Sequence, residues 1–212
     1  MLQLIFATSN KHKVQEVRQM TPPGIKVLDL QQIGWTTEIE ETADSLEGNA
    51  LLKAYTVSDE LEIDCFAEDT GLEVDVLDGK PGVFSARYAG EHRNAHANME
   101  KLLIELEGIE NRQAQFRTVI ALILDGASFC FHGIVRGQIA HSASGDGGFG
   151  YDPVFIPDGY TASFGELSSD VKNRMSHRAQ AMQQLTAFLT TYLKCKNQGL
   201  AWPRTQDLQS RW

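Results

Sequence analysis

Short apolar runs alternate with helix-period stretches along the first half of this chain, and this order constrains the fold more than any other feature. Residues 3–8 form an apolar run that ends in polar residues, the pattern of a buried strand. From Asn10, Val14 and Val17 recur at helical spacing among Lys13, Gln15, Glu16 and Gln19, and Pro22-Pro23-Gly24 stops the helix. Lys26 to Leu30 reads as a second strand, and the polar stretch 34–44 as a loop. Leu46, Ala50, Ala54, Val57 and Leu61 then make one apolar stripe, with Ser45 as N-cap and Glu47 in the first turn. Cys65-Phe66-Ala67 opens a third strand that runs into Glu68-Asp69-Thr70-Gly71, and Leu72 to Val76 alternates like a half-exposed strand.

The second half predicts a helix over Asn94 to Glu107 and a central strand over 116–124. A turn at Asp125-Gly126, a partner strand from Ser128 to Val135 and a last helix from Ser176 to Leu193 follow. An α/β alternation followed by a hairpin and a final helix predicts a mixed sheet flanked by helices. One domain over residues 1–196 accommodates all of this. Residues 197–212, with Trp202 and Trp212, lack a period and read as a C-terminal extension.

The 212 residues carry a net charge of -9, which argues against a nucleic-acid partner, since that needs a basic footprint. A small phosphorylated ligand needs only a few local cations or a divalent metal. No apolar run is long enough to span a bilayer, and no basic segment precedes the first apolar run, so the expectation is a cytoplasmic chain with no membrane partner. Three dispersed cysteines, Cys65, Cys130 and Cys195, imply neither a disulfide framework nor a zinc site.

Four segments carry candidate chemistry. Thr8-Ser9-Asn10-Lys11-His12-Lys13 lies where a strand turns into a helix, and is either a capped helix start or an anion site. Glu68-Asp69 sits at the end of a predicted central strand, where α/β sheets place ligands. Adjacent carboxylates there call for a cation, and magnesium is the hard, oxygen-loving one usually shared with phosphate. The glycine-rich segment 145–153 lets backbone approach a ligand, and Phe149 and Tyr151 within it are candidates to stack on a base. His177 and Arg178 fall in the first turn of the last helix, where cations are unfavourable unless an anion is near.

Together these segments resemble the inosine triphosphate pyrophosphatase family. The resemblance covers about residues 2–193. It is carried by Thr8-x-Asn10-x-x-Lys13, Glu40-Glu41-Thr42, Glu47-Gly48-Asn49-Ala50-Leu51-Leu52-Lys53-Ala54 and Ala67-Glu68-Asp69-Thr70-Gly71-Leu72. Pro81-Gly82-Val83-Phe84-Ser85-Ala86-Arg87-Tyr88-Ala89-Gly90, Gly148-Phe149-Gly150-Tyr151-Asp152-Pro153 and Ser176-His177-Arg178 complete it. Two departures stand out: Ser9 and Glu68-Asp69-Thr70 where many bacterial members have glycine and Asp-Asp-Ser.

The resemblance implies an elongated, two-lobed fold around a long, twisted mixed sheet, with a nucleotide cleft between the lobes, and usually a homodimer. It implies magnesium-dependent hydrolysis of inosine and xanthosine triphosphates to monophosphate and pyrophosphate, which keeps deaminated purines out of DNA and RNA. Thr8, Ser9, Asn10, Lys11, His12 and Lys13, helped by Lys172, would hold the triphosphate. Asp69 would be the base for the attacking water, with Glu40, Glu68 and Asp69 as metal ligands and Glu41 as the alternative to Glu40. Thr70 would touch substrate, and Phe149, Gly150, Tyr151, Asp152, His177 and Arg178 would bind the base. A pyrimidine-directed pyrophosphatase of the septum-inhibitor type and a non-catalytic nucleotide sensor are the rival readings.

Overall fold

A computed structural model describes residues 2–90 and 94–200. The elements run β1 (Leu2–Phe6), α1 (Lys11–Met20), β2 (Ile25–Asp29), α2 (Leu46–Leu61), β3 (Cys65–Val74) and α3 (Ala95–Glu105). They continue with β4 (Gln113–Leu124), β5 (Ala127–Ile139), β6 (Phe155–Pro157), α4 (Ser169–Met175) and α5 (His177–Asn197). The six strands form one sheet in the order β2-β1-β3-β4-β5-β6. β1 runs parallel to β2 and β3, while β3, β4, β5 and β6 pair antiparallel. The expected mixed sheet flanked by helices is the observed architecture.

Local chemistry explains the elements. The Asn10 side chain caps α1 by accepting from the amides of His12 and Lys13, and Val14 and Val17 form its buried face. The Ser45 hydroxyl caps α2 by accepting from Gly48, as expected. The stripe Leu46, Ala50, Ala54 and Val57 is buried, whereas Leu61 is exposed. β3 runs unbroken from Cys65 to Val74, joining two runs that the sequence separates. Val76 falls in a short 3-10 turn and is exposed. The short β6 and α4 lack a sequence period and were not anticipated. Of the expected extension over 197–212, Asn197 closes α5, and Trp202 and Trp212 lie outside the described residues.

The pleat sorts the core. Phe66, Ile120, Leu122 and Phe131 face α1 and α5, where they meet Val14, Val17, Leu185 and Phe188. Their neighbours Cys65, Ala67, Val119 and Ala121 face the other way, onto Ala50, Ala54 and Val57 of α2. Further along the same long strands, Leu72, Val74, Ala114 and Phe116 belong to a third cluster with Leu102, Leu106, Phe155 and Phe164. Two packed regions thus share β3, β4 and β5.

The site lies where β3 passes from one region to the other. β1 pairs with β3 only through Ile5 and Phe6, opposite Cys65 and Phe66, and then ends. β3 continues through Glu68-Asp69-Thr70-Gly71 with that edge open to the loop after β1. On the far side α5 approaches β5 so closely that a Cβ on Gly133 would fall 1.8 Å from the His177 carbonyl oxygen. This glycine sets where the first turn of α5 rests. Gly133→Ala is expected to lower stability by about 3 kcal/mol through overpacking, read as a lower urea midpoint. A wild-type midpoint would contradict the close approach.

Candidate functional site

A cavity of about 780 Å³ opens over this stretch of β3. Thr8, Ser9, Asn10, His12 and Lys13 line one side, and Asp69, Thr70 and Leu72 form the floor. Phe149 to Asp152, Lys172, His177 and Arg178 close the opposite end, and the loop holding Trp35, Glu38 and Glu41 forms the outer wall. Most residues that the sequence singles out are therefore brought together.

Glu68 and Asp69, adjacent in sequence, point to opposite faces of β3 because strand side chains alternate. Glu68 is buried and held by Arg178, whose Nε and Nη2 donate to its two oxygens at 2.8 and 2.7 Å. Lys13 Nζ lies 3.1 Å from Glu68 Oε1. Arg178 Nη1 also donates to Glu16 at 2.5 Å, and Lys172 Nζ donates to Glu16 at 2.7 Å and to Asp152 at 2.6 Å. Three cations and three carboxylates thus form one ion-pair network between α1, β3, the 149–152 segment, α4 and α5.

The network sets protonation states. Burial pushes the Glu68 carboxyl up, but Arg178 and Lys13 outweigh it and hold it well below the usual carboxylate range. Burial disfavours the Arg178 charge, yet Glu68 and Glu16 more than restore it. Burial raises the Asp152 carboxyl despite Lys172. His177 is held neutral, first by burial and then by the neighbouring charges of Arg178 and Lys172. Its ring stacks on Phe116 at 4.6 Å, and among the described residues its buried Nδ1 has no hydrogen-bond partner. A buried polar atom without a partner at a cavity wall is a contact point for a ligand.

On the other face of β3, Lys53 Nζ bridges Asp69 Oδ1 at 3.1 Å and Glu41 Oε1 at 2.6 Å. Asn49 Nδ2 approaches Asp69 Oδ2 at 3.4 Å. Burial works against the Lys53 charge, but Asp69 and Glu41 raise its pKa overall, so it stays an ammonium. A cation shared by two carboxylates is the environment a hard divalent ion occupies. Magnesium is commonly held by one or two carboxylates, with phosphate completing its shell. Asp69 and Glu41 fit that ion. Among the described residues, no three His, Cys, Asp or Glu side chains form a closed cage.

Several expectations need correction. Glu40 is exposed and does not line the cavity; Glu41, the alternative, does. Glu68 lies on the opposite face of β3 from Asp69, where Arg178 and Lys13 engage its oxygens, so the structure does not group it with Asp69 and Glu41. Lys11 faces an outer groove with Val14, Gln15 and Arg18. Tyr151 lines the cavity but cannot swing out to stack: its ring is buried in the third cluster and its hydroxyl donates to the Ser85 carbonyl at 2.9 Å. Three participants went unassigned. Lys53 and Asn49 interrupt the apolar stripe of α2 four residues apart on its buried face, and that interruption was a readable signal. Glu16 left none, since its partners lie far away in sequence.

A mixed sheet with a cleft lined by paired cations and carboxylates over an interrupted strand edge defines an α/β protein with a charged cleft. More specifically, the chain belongs to the Ham1 family, whose model matches residues 4–188. It is 50% identical over 189 residues to the dITP/XTP pyrophosphatase of Flavobacterium johnsoniae, covering 89% of this chain and 98% of the relative. It is 53% identical over 190 residues to the dITP/XTP pyrophosphatase of Porphyromonas gingivalis, with the same coverage of both chains. The fold is similar to that of the Staphylococcus aureus Ham1 protein, with a TM-score of 0.82 at 37% identity, over 90% of this chain and 99% of that one.

The protonation states predict a pH dependence. A histidine whose folded pKa lies below its ordinary value binds more protons unfolded, so its contribution to stability is complete above that value and is lost on acidification. The urea midpoint is expected to fall as pH drops from about 7 to about 5, where Glu68 is still ionised. His177→Phe, which keeps the ring on Phe116, is expected to flatten that slope. An equally steep fall in the variant would assign it to other groups.

Proposed function

We propose that this chain hydrolyses the triphosphates of deaminated purines, dITP, ITP and XTP, to the nucleoside monophosphate and pyrophosphate. The observation that carries this reading is the polarity of the cleft. One end holds the Lys53-bridged Asp69 and Glu41 beside the Thr8 to Lys13 loop; the other holds Phe149, Arg178, Lys172 and His177, whose Nδ1 has no hydrogen-bond partner among the described residues. A triphosphate suits the first end and an oxopurine the second. The family's Flavobacterium and Porphyromonas members named above for this activity support the same reading.

Under this proposal Lys13 and Lys53 neutralise the phosphates, and Asp69 orients water toward the α-phosphorus and accepts its proton. Asp69 and Glu41 would hold a magnesium ion, which supplies charge neutralisation at the phosphate oxygens. At the far end, hydrogen-bond donors meet the 6-oxo group. A 6-amino group in its place would leave a buried donor unpaired, a mismatch that can cost several powers of ten in kcat/KM. The resemblance adds a homodimer and a cytoplasmic location to the proposal. Among the described residues no helix is long and apolar enough to cross a membrane.

With dITP and magnesium, Asp69→Asn is expected to lower kcat by about 100-fold or more while keeping the wild-type fold by circular dichroism. Wild-type turnover in that variant would remove Asp69 from the chemistry. Phe149→Ala is expected to raise KM by about tenfold with a smaller effect on kcat, as befits a stacking surface. A loss confined to kcat would contradict that role.

A further inference from the structure

His12 and Phe149 both line the cleft and stack on each other. Its imidazole stacks on the Phe149 ring at a centroid distance of 5.3 Å, with the planes 14° apart. The same ring is approached by Lys172 Nζ at 4.9 Å and Arg178 Cζ at 5.4 Å. Those two cations are buried and pinned in the ion-pair network, whereas His12 is exposed. Phe149 is thus surrounded by two fixed charges and by one stacked side chain that can move.

The His12 backbone is fixed, because its amide donates to the Asn10 carboxamide at 3.0 Å in the cap of α1. Among the described residues no hydrogen bond holds its imidazole. Rotation about the side-chain bonds alone therefore opens the stack. A planar ring between two others needs their centroids roughly 7 Å apart, the outer limit for aromatic pairs and a modest opening from the present stack. Imidazole and purine are both flat and aromatic, so the face that the imidazole covers is one on which a base also stacks favourably.

We infer that His12 is the second plate of a base clamp: the purine inserts between the His12 imidazole and the Phe149 ring. This rests on the nucleotide reading of the cleft, and it moves His12 from the triphosphate, where the family resemblance puts its segment, to the base. The imidazole protects Phe149 from water in the empty cleft and follows the base in, covering its outer face. Stacking of this kind is tolerant of ring identity, so His12 adds affinity for purines as a class and leaves discrimination to the donors at the 6-position.

The test is steady-state kinetics with dITP on the full chain and on His12→Ala, His12→Phe and His12→Lys. The ring of phenylalanine preserves stacking without charge, and lysine preserves charge without a ring. His12→Ala is expected to raise KM about tenfold more than it lowers kcat. His12→Phe is expected to restore KM to near the wild-type value, and His12→Lys is not. Rescue by His12→Lys would place the residue on the phosphates and overturn the inference. An unchanged KM in His12→Ala would make the stack incidental, and a lowered KM would make His12 a mere obstruction; both overturn it. Absence of dITP and XTP turnover in the unmutated chain would bring down the nucleotide reading and the clamp with it, an outcome distinct from turnover that is indifferent to His12.

Discussion

Arg178 reaches from the first turn of α5 to the middle of β3 and grips both oxygens of Glu68. Much else hangs on that contact. It is buried, and removing either partner would strand the other charge, at a cost of about 3–5 kcal/mol. Because Glu16 and Lys172 join the same network, α1, α4 and α5 are fixed relative to the sheet by charge as well as by apolar packing. The mismatch of two basic-type residues, His177 and Arg178, at a helix N-terminus is resolved here. Arg178 finds its anion in Glu68, and His177 is kept neutral.

The pleat then divides the labour between neighbours. Glu68 turns toward α1 and α5 and becomes the anchor of the network. Asp69 turns toward α2, where Lys53, Glu41 and Asn49 surround it. One carboxylate holds the wall of the cleft, and the other is left facing the cavity beside a cation. The Glu68 departure from the family's bacterial pattern is thus accommodated. The longer side chain meets Arg178 in a two-pronged pair, and the cavity-facing position is the next residue.

The alternation of β1, α1, β2, α2 and β3 was legible because each element carries its own period and its own cap, as Asn10 and Ser45 show. The unbroken β3 was not, since Glu68-Asp69-Thr70 interrupts its apolar pattern and reads as a break. The interruption is real chemistry: buried charges satisfied by partners from other elements. For the same reason the segment motifs identified the cleft, while the pairing of its charges stayed hidden. Glu16 looks like a solvated helix position until Lys172 and Arg178 arrive from α4 and α5. Lys53 breaks the buried apolar face of α2, but the carboxylate that answers it, Asp69, comes from another element. Tyr151 looked like a stacking platform because sequence gives a ring but not its direction, and the Ser85 carbonyl fixes that direction inward.

In the proposed reaction, water attacks the α-phosphorus of a deaminated purine triphosphate held in this cleft. Hydrolysis of dITP in water labelled with heavy oxygen, followed by mass spectrometry of the products, tests it most directly. Label is expected in the nucleoside monophosphate with unlabelled pyrophosphate, and dATP is expected to turn over far more slowly. Label in pyrophosphate, release of orthophosphate, or equal turnover of dATP would contradict it.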